Sequence, residues 1–160
     1  MEILRQQFLR HIGQTSPSPM LVEVARAEGV CFFTPEGKRY YDIIAGVSVS
    51  NVGHGNPAVT EAVCRQARDY MHVMVYGELV ERPQVRYAAR IAEYLPAPLD
   101  AVYFVNSGAE AVEGALKLAK RFTGRRRMVA CRNAYHGSTH GAMSVMESWE
   151  FSDAYGPMLP

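Results

Sequence analysis

The chain has few cysteines, no long apolar run and almost no net charge, and each lack removes a class of function. Its three cysteines, Cys31, Cys64 and Cys131, lie far apart and show no CxxC spacing. Neither a disulfide framework nor a zinc site is suggested, and a reducing, cytoplasmic setting fits best. No stretch approaches the ~20 apolar residues that a membrane span needs. The opening "MEILRQQFLRHIG" has no apolar core of the kind a signal peptide carries. Lys and Arg number 17 against 16 Asp and Glu, a net charge of +1, so charge gives no argument for a nucleic-acid or membrane partner. The one basic run, Arg125-Arg126-Arg127, falls between a helical pattern and a strand pattern and reads as a solvated loop. Internal repeats are missing too. So are G-x-G-x-x-G and G-x-x-x-x-G-K-[ST], which weakens any reading as a nucleotide binder.

What is present is an ordinary globular composition, 48% hydrophobic and 21% charged, over 160 residues, enough for one modest domain. The final "SDAYGPMLP" has no terminating helix or polar tail and suggests a piece of something longer. Residues 1–12 place Ile3, Leu4, Phe8, Leu9 and Ile12 near helical spacing, and "GQTSPSP" breaks that helix. From Met20 to Ile44 the pattern predicts three short antiparallel strands, with turns at Gly29 and at "PEG". "AGVSVSNVGHGNP" reads as irregular. Asn56 is placed as an N-cap and Pro57 as the first residue of a helix reaching about Met71. A further helix is expected from about Pro83 to Tyr94, stopped by "LPAPLD". "AVYFVN" and "RMVACR" are apolar runs of strand formers with little alternation, as in a parallel sheet covered on both faces. The helix from Gly108 to about Phe122 joins them, so the back half reads as a right-handed βαβ unit of an open α/β layer.

In such layers ligands bind beyond the carboxyl ends of the strands. Asn106-Ser107-Gly108-Ala109 sits at one such end, where a helix begins with unpaired N–H groups and a partial positive charge. Phosphate binds readily there. Gly108 lets an anion approach the backbone, Ala109 adds little bulk and Ser107 offers a hydroxyl. The alternative is a capping box, Ser107-x-x-Glu110, which spacing alone favours because the pattern is common. Glu110 and Glu113 lie near the anion position and would have to turn away or hold other groups. A second loop, "NAYHGSTHGAMS", follows the second strand and faces the same crevice. It sets Tyr135 beside His136 and Gly137, and a flat ring next to a phosphate pocket suits a flat phosphorylated cofactor. His136 and His140 are four apart, but "HGSTH" lacks the Glu of H-E-x-x-H, so no metal site is assigned. His54 stands alone and reads as structural.

"FVNSGAEAVEGALKLAKRFTGR" followed by "AYHGST" resembles the class III (ω-amino) aminotransferases, fold-type I enzymes dependent on pyridoxal 5′-phosphate (PLP). "TPEGKRYYDIIAGVSVSNVGHGNPAV" is similar to the same family's N-terminal strands and its G-H-x-x-P turn. By that resemblance the fold is α/β: residues 1–55 form an N-terminal segment of the small domain, and 56–160 form the first part of the PLP-binding large domain. Gly108 and Ala109 match the amides that hold the phosphate, Ser107 the adjoining hydroxyl, and Tyr135 the ring-stacking aromatic, with His136 beside it. Glu113 matches an acid of the same helix that supports these contacts.

Two positions depart from the family. Val47 stands where an aromatic substrate contact is usual, and Ser138 stands where an Arg can place a substrate carboxylate. The three lysines, Lys38, Lys117 and Lys120, match no Schiff-base position, so no catalytic residue is expected in this chain. The resemblance implies an amino donor, a 2-oxo acid acceptor and a homodimer with "MHVMVYGELVERP" near its interface. Alternatives are a PLP-dependent aminomutase or decarboxylase, or a non-catalytic truncated remnant.

Overall fold

The computed structural model describes residues 2–74, 76–147 and 152–159. Val75 of the expected interface segment and Pro160 of the final stretch lie outside them. The chain separates into two units, Met1–Leu79 and Val80–Pro160.

The first unit opens with α1 (Glu2–His11). Three strands follow, β1 (Arg26–Glu28), β2 (Cys31–Phe33) and β3 (Arg39–Tyr41), antiparallel in the order β1-β2-β3. Ala27 faces Phe32, and Phe32 faces Tyr40. The Phe32 and Tyr40 rings stack at 5.2 Å, the kind of cross-strand pair that fixes register. The β2–β3 turn closes with Gly37 N–H donating to Thr34 O at 2.9 Å, and Gly37 takes the left-handed φ of +81° that the sequence provided for. All three strands were expected, but the first is shorter. The alternating stretch before Arg26 contains Leu21 at φ 52°, a conformation no strand accommodates.

Beyond β3 the chain does something the sequence did not announce. Ala45, Gly46, Val47 and Ser48 all have positive φ, between 49° and 64°, and form one helical turn of the disfavoured hand, α2 (Ala45–Ser48). Each L-residue costs roughly 1–2 kcal/mol in that conformation, and only one of the four is glycine. α3 (Pro57–Asp69) then starts as expected. The Asn56 side chain accepts from Ala58 N–H at 3.0 Å and Val59 N–H at 3.3 Å, with proline at the first turn.

The second unit contains α4 (Arg82–Ala92), α5 (Gly108–Thr123), α6 (His140–Ser144) and a 3₁₀ turn, η1 (Ser152–Tyr155). Gly124 closes α5 at φ 68° and donates to Lys120 O at 3.0 Å. The runs 101–106 and 127–132, read as strands of a βαβ unit, form no ladder with each other or with any other segment among the described residues. A strand exists through its ladder, and nothing among the described residues supplies one. The first still runs where a layered strand would. Tyr103 lies against Gly114 of α5, while the Phe104 ring stacks on Tyr87 of α4 at 5.7 Å, so successive side chains meet different helices.

Little is buried. Among the described residues the only buried hydrophobic side chains are Cys31, in β2 of the small sheet, and Ala142 in α6. No helix of the described residues is long and apolar enough to cross a membrane.

Candidate functional site

Of the two arrangements that the sequence left open, the capping box is formed at the entrance of α5. Ser107 is the N-cap, with extended backbone (φ −147°, ψ 160°), and its Oγ accepts from Glu110 N–H at 3.2 Å. The Glu110 carboxylate reaches back and accepts from Asn106 N–H at 2.7 Å. This is a capping box whose return arm lands one residue earlier than the usual pattern. It engages the amides of Asn106 and Glu110 and leaves those of Gly108 and Ala109 alone. Neither of these two N–H groups meets an acceptor among the described residues. They are the first two donors of a 16-residue helix, where the macrodipole is positive. A side chain added at Gly108 would meet nothing within 4 Å, so there is space beside Gly108 itself.

The acids that could repel an anion here are both engaged. Glu110 is drawn back to Asn106. Glu113 points at the second loop, where its Oε1 accepts from Thr139 Oγ1 at 2.6 Å and from Ala142 N–H at 3.2 Å. The Thr139 hydroxyl foremost, then the amides of Ala142 and Gly141 and the charge of Lys117, hold the Glu113 carboxyl below its ordinary range, against the opposing effect of desolvation. Glu113 thereby places a negative charge at the start of α6, whose N-cap Thr139 makes no capping bond of its own.

The same contact draws loop 135–139 onto α5. Gly137, buried and at φ 132°, lies so close to Ala109 that a Cβ there would stand 2.6 Å from the Ala109 Cβ. A Cβ on Gly141 would stand 2.2 Å from Glu113 Oε2. Two glycines four apart are therefore what allows the loop to sit on the helix entrance. That spacing was a signal in the sequence, and the partnership of Glu113 with Thr139 and Ala142 was not read from it.

Of the five candidate residues, Ser107, Gly108 and Ala109 line the entrance, and Tyr135 and His136 flank Gly137 in the loop that touches it. The Tyr135 ring is 68% exposed, and its hydroxyl shares a 2.8 Å hydrogen bond with Ser138 Oγ. The residue that departs from the family pattern thus steadies the aromatic. His136 is half-buried, and its Nε2 is shielded from solvent without a partner among the described residues. His140 lies on α6 with Nε2 3.2 Å from Pro157 O. No group of three or more metal-ligating side chains occurs among the described residues. Lys117 and Lys120 lie further along α5 and line a hollow of about 1040 Å³ with Arg126, Met128 and Cys131. Lys38 lies over the Tyr40 ring in the first unit.

Residues 12–160 match the family described as aminotransferase class-III. The acetylornithine aminotransferase of Methanopyrus kandleri is 39% identical over 152 residues, which cover 94% of this chain and 38% of that protein. Among solved structures, an (S)-enantioselective omega-transaminase from Thermomicrobium roseum superposes with a TM-score of 0.87 at 31% identity, over 99% of this chain and 38% of its own. A taurine:2-oxoglutarate aminotransferase from Bifidobacterium kashiwanohense, solved with PLP and glutamate, gives 0.85 at 30% identity over 99% and 36%. The chain thus spans less than two fifths of the length of these relatives.

Proposed function

This chain belongs to the class-III aminotransferases, and from that premise we propose that it supplies the cofactor-anchoring part of a PLP-dependent aminotransferase. Its fold is the corresponding part of fold-type I. The observation that carries the reading is the pair of amides at Gly108 and Ala109 that meet no acceptor among the described residues, bordered by the Tyr135 loop. In this reading those amides take the cofactor phosphate. The Ser107 hydroxyl, whose oxygen already accepts from Glu110, donates its own proton to the same group. Tyr135 covers one face of the pyridine ring, His136 stands beside it in the same loop, and Glu113 holds the loop in place. PLP, when bound, supplies an electron sink for the bond cleavage at the amino carbon.

Lys117 and Lys120 lie further along α5 than its entrance, and in this reading the chain anchors the cofactor without supplying the group that carries out the covalent and proton-transfer steps. The amino donor suggested by the relatives is the terminal amine of an acylated diamino acid such as acetylornithine, with a 2-oxo acid as acceptor. Position 47 faces the donor in this reading. A second reading follows from Ser138: with no guanidinium at that point, a donor lacking a carboxylate is favoured, as in the omega-transaminases. A cytoplasmic homodimer, with the domain line near residue 55, completes the proposal.

The test uses pyridoxine 5′-phosphate, which has no aldehyde and cannot react with lysines. Titrated into the chain and followed by ³¹P NMR, it is expected to shift and broaden, while unphosphorylated pyridoxine leaves the backbone amide signals of Gly108 and Ala109 unmoved. Gly108→Asp should abolish the effect. Equal responses to both compounds, or an unchanged response in Gly108→Asp, would overturn the assignment.

A further inference from the structure

The left-handed turn at 45–48 is the most strained backbone among the described residues, and it is held by side chains that the cofactor site does not use. We infer that Asp42 and His54 are positioning residues that hold this turn, and with it Val47, in its displayed conformation. The inference rests on the reading that position 47 faces the amino donor.

The Asp42 carboxylate divides its two oxygens. Oδ1 accepts from Ala45 N–H at 2.9 Å, at the first residue of the turn, and Oδ2 accepts from His54 Nε2 at 2.7 Å. Both partners are anchored at their far ends. Asp42 N–H donates to Val30 O at 2.9 Å, next to β2. His54 exchanges two backbone hydrogen bonds with Gly29, of 2.9 and 2.7 Å, in an isolated bridge. A Cβ on Gly53 would stand 2.9 Å from Gly29 O, so the chain passes the hairpin as closely as glycine permits. The small sheet is thus the frame, His54 is the strut, and the carboxylate is the clamp on the turn.

The clamp is well shielded, with the Asp42 side chain 15% exposed and that of His54 26%. What it holds is not: Val47 is 82% exposed. Packing therefore does not explain why Ala45, Val47 and Ser48 occupy a conformation that L-residues avoid. Sparsely populated backbone persists only where the surroundings over-determine it. Here the over-determination is polar and local. Inside the turn, Ser48 N–H donates to Ile44 O at 3.0 Å, while Val49 and Ser50 N–H both converge on Ala45 O at 2.8 and 2.9 Å. Ala45, the residue that Asp42 holds, is also the acceptor on which the turn closes.

Hydrogen exchange of the Ser48, Val49 and Ser50 amides by NMR tests this in the chain itself. Asp42→Ala removes both acceptor oxygens, whereas an amide at this position could still accept from Ala45 and donate to the other tautomer of His54. Asp42→Ala is therefore expected to speed exchange of these three amides at least tenfold, with the Cys31–Phe33 sheet amides unchanged. Ala45→Gly added to Asp42→Ala should recover much of the protection, because glycine takes positive φ without penalty. His54→Ala should loosen the turn as Asp42→Ala does, and His54→Gln, which keeps a donor, should loosen it less. Unchanged exchange in Asp42→Ala would overturn the inference. So would equal acceleration of the sheet amides, or no recovery with glycine. Failure of the cofactor assignment is read separately, at Gly108 and Ala109.

Discussion

Glu113 accepts from Thr139 Oγ1 and from the Ala142 N–H, and these bonds favour its charged form in the folded state. The sign follows. A carboxyl whose folded pKa is lowered contributes its stability in full above the ordinary glutamate value, roughly 4.3, and loses it as pH falls through the lowered folded value. Protection of the Ala142 amide should therefore be flat from neutral pH down to about 4.3 and fall below it. Glu113→Gln should reduce protection at neutral pH and remove most of that acid-side fall, as followed by amide exchange between pH 3 and 7. Asp42, lowered first by the His54 hydrogen bond and then by the Ala45 N–H, should make the 45–50 turn acid-labile in the same direction. At this scale the sequence was legible where the chemistry is local. Ser107, Gly108 and Glu110 declared a helix entrance by spacing alone. The partners of Glu113 lie 26 and 29 residues away, and no periodicity reports them.

The elements divide along the same line. Helix α3 could be read to within two residues because Asn56 and Pro57 mark its start locally, and the hairpin turn was legible because only glycine suits its last position. Runs 101–106 and 127–132 were read as strands from composition, but strand pairing depends on a neighbour that composition does not supply. The turn at 45–48 was illegible for the opposite reason. Its residues argue against the conformation they adopt, and the clamp that enforces it closes through His54, which reads from its surroundings in the chain only as structural. The cap of α3 gives a direct check. No residue of that helix is buried, so lost capping is not masked by tertiary packing. Asn56→Ala should cost about 1 kcal/mol and appear as reduced helical ¹³C secondary shifts over residues 57–62, with α4 unaffected.

For the whole chain, the balance between buried and exposed apolar surface governs behaviour in solution. Val129 is 99% exposed and Phe122 88%, while the buried apolar residues among those described number two, Cys31 and Ala142. Cooperative unfolding needs a shared core, and exposed apolar patches bind hydrophobic probes. The chain should accordingly melt broadly, without a sharp calorimetric peak, and should raise the fluorescence of 8-anilinonaphthalene-1-sulfonate under native conditions. A single sharp two-state transition with no dye response would contradict this account. The unpaired backbone at 101–105 and 127–132 carries one more implication. A bare edge of peptide groups recognises hydrogen-bonding geometry and little else, so it does not distinguish a proper neighbour from any other extended chain. What docks on it is settled by order of arrival and local concentration.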